Sequence, residues 1–581
     1  MLNQRGLLAL NREGATVVIL DNSASMGYRD EGGERFERAK NAAREILPNL
    51  SGRILVIPMA SVRSGTAAEE DRRWTDGREA AQILSKIPLF LGRGNSSSAL
   101  RSAFQALKDA GGPGNILIVT DLTRGDWEDL DLSEADRVSA ETGIAILRIG
   151  GPKRDSNLLI KGVRLAEGEA VAGGSARLEV TVANDSDGPA SSNVGLVFAG
   201  EKKDQKNLEL KAGEEQRLSF DVFFEKPGWL DGEVRLAGDF MPLDDSFYFA
   251  LQVKEKMKVL IVEGNPRRSL KASESYYLVN ALNPGRGEEA AFLPQVVTEN
   301  ELSTMDIRGF GALFLVNVAK PQGSRIASFL ESGKPVFLFP GDRISPEEYQ
   351  AIPLFPWRLR PINERERQKP QKIAQIDFNH EALKGFLTSG AESLKGASFR
   401  RYYRIEGSTK TLLGFENGDP FLVQADMGKG KFFLFASSAG LDWNDLALKA
   451  GYLPLIQGLL KEATGLAKES SPQSVPFGRH QDGKSLTVQV RGEPGGLGVY
   501  KSFGETGEFW RGVNLPIEES NLTKMTDAEL NRKFGNLRVK VAEYQGGASQ
   551  EVGGGRKELW PYLLGFLLIV LGVEMGVANR I

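Results

Sequence analysis

The run Thr16-Val-Val-Ile-Leu20 is wholly apolar or β-branched and stops abruptly at Asp21-Asn-Ser23-Ala-Ser25-Met-Gly27. A short continuous apolar run closed by turn residues is a strand buried on both faces, the kind found in parallel sheets covered by helices. Beyond its end the oxygen-bearing side chains alternate, Asp21, Ser23 and Ser25, at the carboxyl edge where open α/β sheets bind ligands. Phe36, Ala39, Ala43, Ile46 and Leu47 follow at helical spacing, and further strands are read at 53–59, 115–120 and 143–149, with helices around 80–84 and 97–110. Residues 1–152 therefore read as a doubly wound, Rossmann-like α/β domain.

After Gly150 the period drops to two. Ala176, Leu178, Val180 and Val182 alternate with Arg177, Glu179 and Thr181, and Leu218, Phe220 and Val222 repeat the pattern. One buried face per strand and Gly, Asp and Pro turns predict an Ig-like β-sandwich over 153–255. From Lys258 the α/β signal returns, with apolar strands at 258–262, 311–318 and 335–339, so 256–468 is a second α/β domain. Residues 469–555, rich in Gly, Glu and Ser, are expected to form a small β domain and a Gly-rich linker.

Composition excludes several kinds of chemistry. The 73 basic and 76 acidic residues are mixed along the chain and give a net charge of −3, no footprint for nucleic acid. The absence of cysteine removes disulfides and thiolate nucleophiles, and with only two histidines, His380 and His480, no multi-imidazole metal site is possible. His380 follows Asp377-Phe-Asn in a polar stretch and is read as a surface residue, and Gly428-Lys-Gly-Lys431 is read as a hairpin turn, because it lacks the spacing and the hydroxyl of a phosphate-binding loop. Residues 1–13 lack the apolar stretch and small-residue cleavage site of a secretory signal.

The D-x-S-x-S pattern of Asp21, Ser23 and Ser25 resembles the metal-ion-dependent adhesion site (MIDAS) of von Willebrand factor A (VWA) domains, whose later aspartate follows a central strand, as Asp121 does after Asn115-Ile-Leu-Ile-Val-Thr120. Hard divalent cations prefer oxygen donors, and two neutral hydroxyls with few carboxylates leave the ion electrophilic enough to attract a partner's carboxylate. The resemblance implies Mg²⁺ or Mn²⁺ held by Asp21, Ser23, Ser25 and Asp121. The family's intervening threonine is replaced by Gly94, with Ser96 or Asn95 as the available substitute. The alternative is that Asp21 and Ser23 only hydrogen-bond their own turn.

The second α/β region resembles class I glutamine amidotransferase-like domains, but Pro340 and Gly341 stand where a nucleophilic cysteine would, which predicts a non-catalytic scaffold. The order of domains resembles bacterial Bat-type aerotolerance-related membrane proteins, which usually carry two membrane helices ahead of the first VWA strand. A run of about 20 apolar residues beginning at 559, flanked by Trp560 and Tyr562, reads as a transmembrane helix within 556–581. The resemblance thus implies a non-enzymatic protein-binding module on the bacterial inner membrane, its bulk periplasmic and a MoxR-type AAA+ ATPase system its partner. The competing readings are a metal-free membrane scaffold and a hydrolase or amidotransferase acting through the second α/β domain.

Overall fold

The computed structural model describes residues 14–544 apart from 61–72, 112–113, 133–141, 268, 285–289, 354, 362–368, 389, 408–409, 467–470, 478–486, 493–495, 505–506, 536 and 538. The first sheet is parallel and five-stranded. Strand β1 (Thr16–Leu20) is flanked by β2 (Ile54–Pro58), at one edge, and β3 (Asn115–Thr120), at the centre, and β4 (Gly143–Ile149) lies outside β3. Because the order reverses direction at β1, the crevice at the carboxyl ends of β1 and β3 is the sheet's switch point.

Helices α1 (Arg35–Ile46), α2 (Gly77–Lys86) and α3 (Ser96–Asp109) cover the two faces, burying Phe36, Ala39, Ala43 and Ile46 on one side and Ala99, Leu100, Ala103 and Leu107 on the other. Asp76 caps α2 by accepting from the amides of Arg78 and Glu79, and Asn95 caps α3 by accepting from Ser98.

The fifth strand comes from the far end of the chain. Val539–Tyr544 pairs in parallel with β4, Val539 opposite Ile144 and Tyr544 opposite Ile149. Its Val539 and Val541 join the core on one face of the sheet, while Ala542 and Tyr544 join the core on the other. The first domain therefore does not end at 152, and 469–555 is not one separate unit: its last described strand belongs to the first sheet. Alternation of apolar residues on both faces of an edge strand is what allows so short a segment to be bound there.

The middle of the chain is a two-sheet sandwich. Strands Glu201–Leu210, Ala190–Phe198, Gly228–Leu236 and Ser246–Val253 form one sheet, and Glu215–Phe224, Gly174–Asn184 and Leu158–Gly168 the other. Their inward residues, among them Leu178, Val180, Phe198, Phe220 and Phe249, make one core. A small sheet of Ser474–Pro476, Gly507–Asn514, Gly498–Gly504 and Thr487–Gly492 docks on it, tied by the Asn514 side chain, which accepts from the Tyr248 amide at 2.6 Å and donates to its carbonyl at 2.8 Å. The second α/β domain has an eight-stranded sheet whose first four strands in spatial order, Phe292–Thr298, Met257–Glu263, Ala312–Val316 and Val336–Phe339, are parallel. The expected hairpin turn is present, joining Pro420–Met427 to Gly430–Phe435, with Gly428 at φ +62°.

Two expectations are corrected. The fold class carries no supported transmembrane helix: among the described residues no helix is long and apolar enough to cross a membrane, and 556–581 lies outside the described residues. The longest described helix, α3, has 14 residues and a polar face, whereas a crossing takes about 20 apolar ones. His380, read as a surface residue, is buried and its Nε2 bonds Gln424 Oε1 at 2.9 Å. Burial behind the hairpin lowers its pKa, so the ring is neutral and acts as a packing group.

Candidate cation site closed by a C-terminal strap

The carboxyl ends of β1 and β3 bring Asp21, Ser23, Ser25 and Asp121 together, all fully buried. Asp21 Oδ1 accepts from the Ser23 amide at 3.0 Å and the Ser23 hydroxyl at 2.7 Å, and Oδ2 accepts from Thr120 Oγ1 at 2.5 Å. The Ser23 and Ser25 hydroxyls are 3.2 Å apart, and Ser25 Oγ donates to Asp121 Oδ1 at 3.4 Å. One ring of oxygens therefore runs from strand to strand.

The two aspartates differ in charge environment. Burial and the neighbouring Asp121 push Asp21 up to about 6, against the hydrogen bonds from Thr120 and Ser23. Burial also acts to raise Asp121, but Lys524 and Arg35 overcome it and hold that group at about 2. Lys524 Nζ lies 2.7 Å from Asp121 Oδ2, and Arg35 Nη1 lies 3.4 Å from the same atom. Both cations also contact Asp155, at 3.1 and 2.6 Å. They serve one oxygen of Asp121, and among the described residues no cation pairs with Asp21.

Gly94 is explained by a residue that sequence reasoning passed over. Its amide donates to Asp126 Oδ1 at 2.6 Å, and a Cβ at position 94 would come within 2.9 Å of that oxygen. Asp126, at the start of the short helix Arg124–Trp127, occupies the space beside residue 94. Ser96, the expected substitute ligand, spends its hydroxyl on the Asp126 carbonyl at 2.6 Å. Asn95, the other substitute, is the cap of α3. The acidic group that reaches the site is Asp126, raised well above the ordinary carboxylate range by burial and by the charges of Glu519, Asp21 and Asp121.

Glu519 arrives from residues 515–526, a strap laid across the site. The strap is pinned by the Arg124 amide donating to the Thr523 carbonyl at 2.7 Å, the Met525 amide donating to the Leu122 carbonyl at 2.9 Å, and the Asn157 side chain donating to the Ser520 carbonyl at 3.0 Å. Leu515 and Leu522 pack with Ala24, Tyr28 and Met241, so loop, sandwich and strap share one apolar patch. Glu519 is pushed up to about 8 by burial and the charges of Asp21 and Asp121, against the lowering influence of the Ser25 backbone and Arg93. Its Oε2 and Asp126 Oδ2 are both buried with no hydrogen-bond partner.

The von Willebrand factor type A domain family matches residues 16–124. Residues 16–124 are a VWA domain. Among solved structures, a cytoplasmic protein from Salmonella typhimurium is 11% identical over 35% of this chain and 98% of its own, with a TM-score of 0.28. The CARDB domain of a Pyrococcus furiosus protein, in complex with di-metal ions, is 19% identical over 17% of this chain and 87% of its own, with a TM-score of 0.15. A β-galactosidase from Bacillus circulans is 12% identical over 44% of this chain and 35% of its own, with a TM-score of 0.25. At these scores none speaks to function. Comparison with curated proteins finds no match.

The donor set of the VWA domain suits a hard cation. Among the described residues no group of three or more acidic or imidazole side chains forms a ligand cluster by itself. The set is instead mixed, two serine hydroxyls between two aspartates, with two further buried carboxylate oxygens left unpaired beside it. Unpaired buried anions are costly unless a cation or proton compensates them. The motif and Asp121 were legible in the sequence; Arg35, Asp126, Asp155, Glu519 and Lys524 were not, and only Gly94 hinted that the space beside it is filled from elsewhere.

The second α/β domain has an acidic switch point of another kind. Asn317, at φ +51°, donates from Nδ2 to Glu274 at 2.7 Å and to Asp342 at 2.8 Å, and its Oδ1 accepts from the Arg343 amide at 2.9 Å. A Cβ at Gly341 would lie 2.2 Å from the Asn317 side chain. Pro340 and Gly341 thus shape a seat for an amide, and neither carries a nucleophile.

Proposed function

We propose that this protein is a non-enzymatic protein-binding module whose VWA domain holds Mg²⁺ or Mn²⁺ through Asp21, Ser23, Ser25 and Asp121. A bound cation would supply electrophilic attraction for an acidic side chain on the protein partner. The observation that carries this reading is the asymmetry between the two aspartates: Asp121 has Lys524 and Arg35, while the neighbours of Asp21 among the described residues are hydroxyls, an amide and a carboxylate. The likeness to Bat-type proteins makes a MoxR-type AAA+ ATPase system the first partner to test.

The experiment is calorimetric titration of Mg²⁺ and Mn²⁺ into the full chain, wild type against Asp21→Asn. Saturable one-site binding that the substitution abolishes supports the reading. Equal heats for the two proteins sink it.

A further inference from the structure

The strap does more than cover the site, because it carries a carboxylate into it. Glu519 is 2% exposed, although it belongs to a four-residue 3₁₀ turn, Ile517–Ser520, whose neighbours Ile517 and Glu518 face solvent. The 3₁₀ turn packs on the Ser25 loop, where Leu515 and Leu522 meet Ala24 and Tyr28, and the buried Oε2 of Glu519 has no hydrogen-bond partner. A solvent-facing position was available one residue away, and the chain instead seals a glutamate against Asp21, Asp121 and Asp126. The charges of Asp21 and Asp121 act against the Glu519 carboxylate and that of Arg93 favours it, while Arg35 and Lys524 are engaged by Asp121 and Asp155.

We propose that Glu519 is an intramolecular ligand of the cation site: its free carboxylate oxygen takes the coordination position that an acidic partner side chain would otherwise fill. The inference rests on the proposed cation at Asp21, Ser23 and Ser25, and it deepens that reading by making the site self-liganded. The partner is then a protein segment bearing an exposed Asp or Glu that competes with Glu519, and engagement requires the strap to lift. The strap is held by a few backbone hydrogen bonds, two leucines and the buried pairs of Lys524 with Asp121 and Asp155, so lifting the turn that carries Glu519 requires 515–522 to peel back while Lys524 and the strand Val539–Tyr544 beyond it stay as tethers.

The test uses the full chain with Mn²⁺ alone, read by calorimetry and by the water-proton relaxation of the bound ion, which reports open coordination positions. Four proteins are compared: wild type, Glu519→Gln, Glu519→Asp and Glu518→Gln. Glu519→Gln is expected to weaken Mn²⁺ on the order of tenfold or more and to raise relaxation per bound ion as water enters the vacated position. Glu519→Asp keeps the charge but loses reach, so it also raises relaxation, and it stands in if the glutamine variant fails to fold. Glu518→Gln leaves both readouts at wild-type values. If both Glu519 variants match wild type in affinity and relaxation, Glu519 is not a ligand and the inference falls while the cation site stands. If Mn²⁺ binds none of the proteins, the site itself is refuted and the inference with it.

Discussion

Two open sheets in this molecule gather acids at their switch points, and they neutralise them differently. In the second α/β domain the acids are bound locally: Glu274 and Asp342 share the Asn317 amide, and Glu263 takes the Ser273 hydroxyl at 2.6 Å and the Ser275 amide at 2.8 Å. In the VWA domain they are met by hydroxyls and by groups delivered from about 400 positions away in sequence, Lys524 lying 403 residues from Asp121. Both clusters keep buried carboxylate oxygens without a hydrogen-bond partner, Glu263 Oε1 and Glu274 Oε2 in the second domain and Asp126 Oδ2 and Glu519 Oε2 in the first. What sets the VWA cluster apart is its pair of serine hydroxyls between two aspartates and the two cations drawn to one of those aspartates only.

The largest effect on this contrast is expected from Lys524→Met. Lys524 is buried against Asp121, and removing one member of a buried ion pair leaves an uncompensated charge, a loss of about 3–5 kcal/mol. Urea midpoints check it, and Asp121→Asn in the same chain should recover part of the loss. If Lys524→Met unfolds at the wild-type midpoint, the strap is not energetically coupled to the site.

Gly94→Ala comes next. Its Cβ would press on Asp126 Oδ1 at 2.9 Å, costing about 1–3 kcal/mol as an overpacked core position. Shortening the acid with Asp126→Ala should abolish that cost in a double-mutant cycle. An additive cycle would remove Asp126 from the space beside Gly94.

The second cluster should respond to pH in a way Glu274→Gln removes. Burial raises Glu274 to about 7, with the Asn317 hydrogen bond opposing and nearby acids adding. A carboxylate whose folded pKa lies above its ordinary 4.5 binds its proton more tightly when folded. Its contribution is fully present below about 4.5 and lost as pH rises through 7, on the order of 1–3 kcal/mol for this buried group. Denaturant midpoints measured across that window should slope downward in the wild type and flatten in Glu274→Gln.

Smallest is Arg124→Ala, which breaks a part-exposed pair with Glu529 at 2.8 Å at the far end of the strap. A loss of about 0.2–1 kcal/mol is expected by thermal melting. A larger loss would mean that this anchor, and not the buried pairs, holds the strap down.

What could be read from the sequence follows the range of the interactions. β1 and its D-x-S-x-S end, β3 with Asp121, and the alternating strands of the sandwich are written in consecutive residues, so periodicity finds them. Glu519 and Lys524 sit in a stretch rich in Gly, Glu and Ser whose local pattern has no single period, and their partners lie across the whole chain. His380 looked like a surface residue because its neighbours are polar, yet the opposing hairpin covers it. Ser96 has the right chemistry in the right loop, and only the Asp126 carbonyl, 30 positions on, determines that its hydroxyl turns away.

Cation and strap are proposed to share one site. Amide hydrogen exchange of the full chain with and without Mn²⁺ tests it most directly, since local protection reports the opening of each segment. Mn²⁺ is expected to slow exchange in 21–27 and in 515–526 together, and Glu519→Gln to uncouple the second segment from the first. Protection confined to 21–27 in the wild type, or absent from both segments, would contradict it.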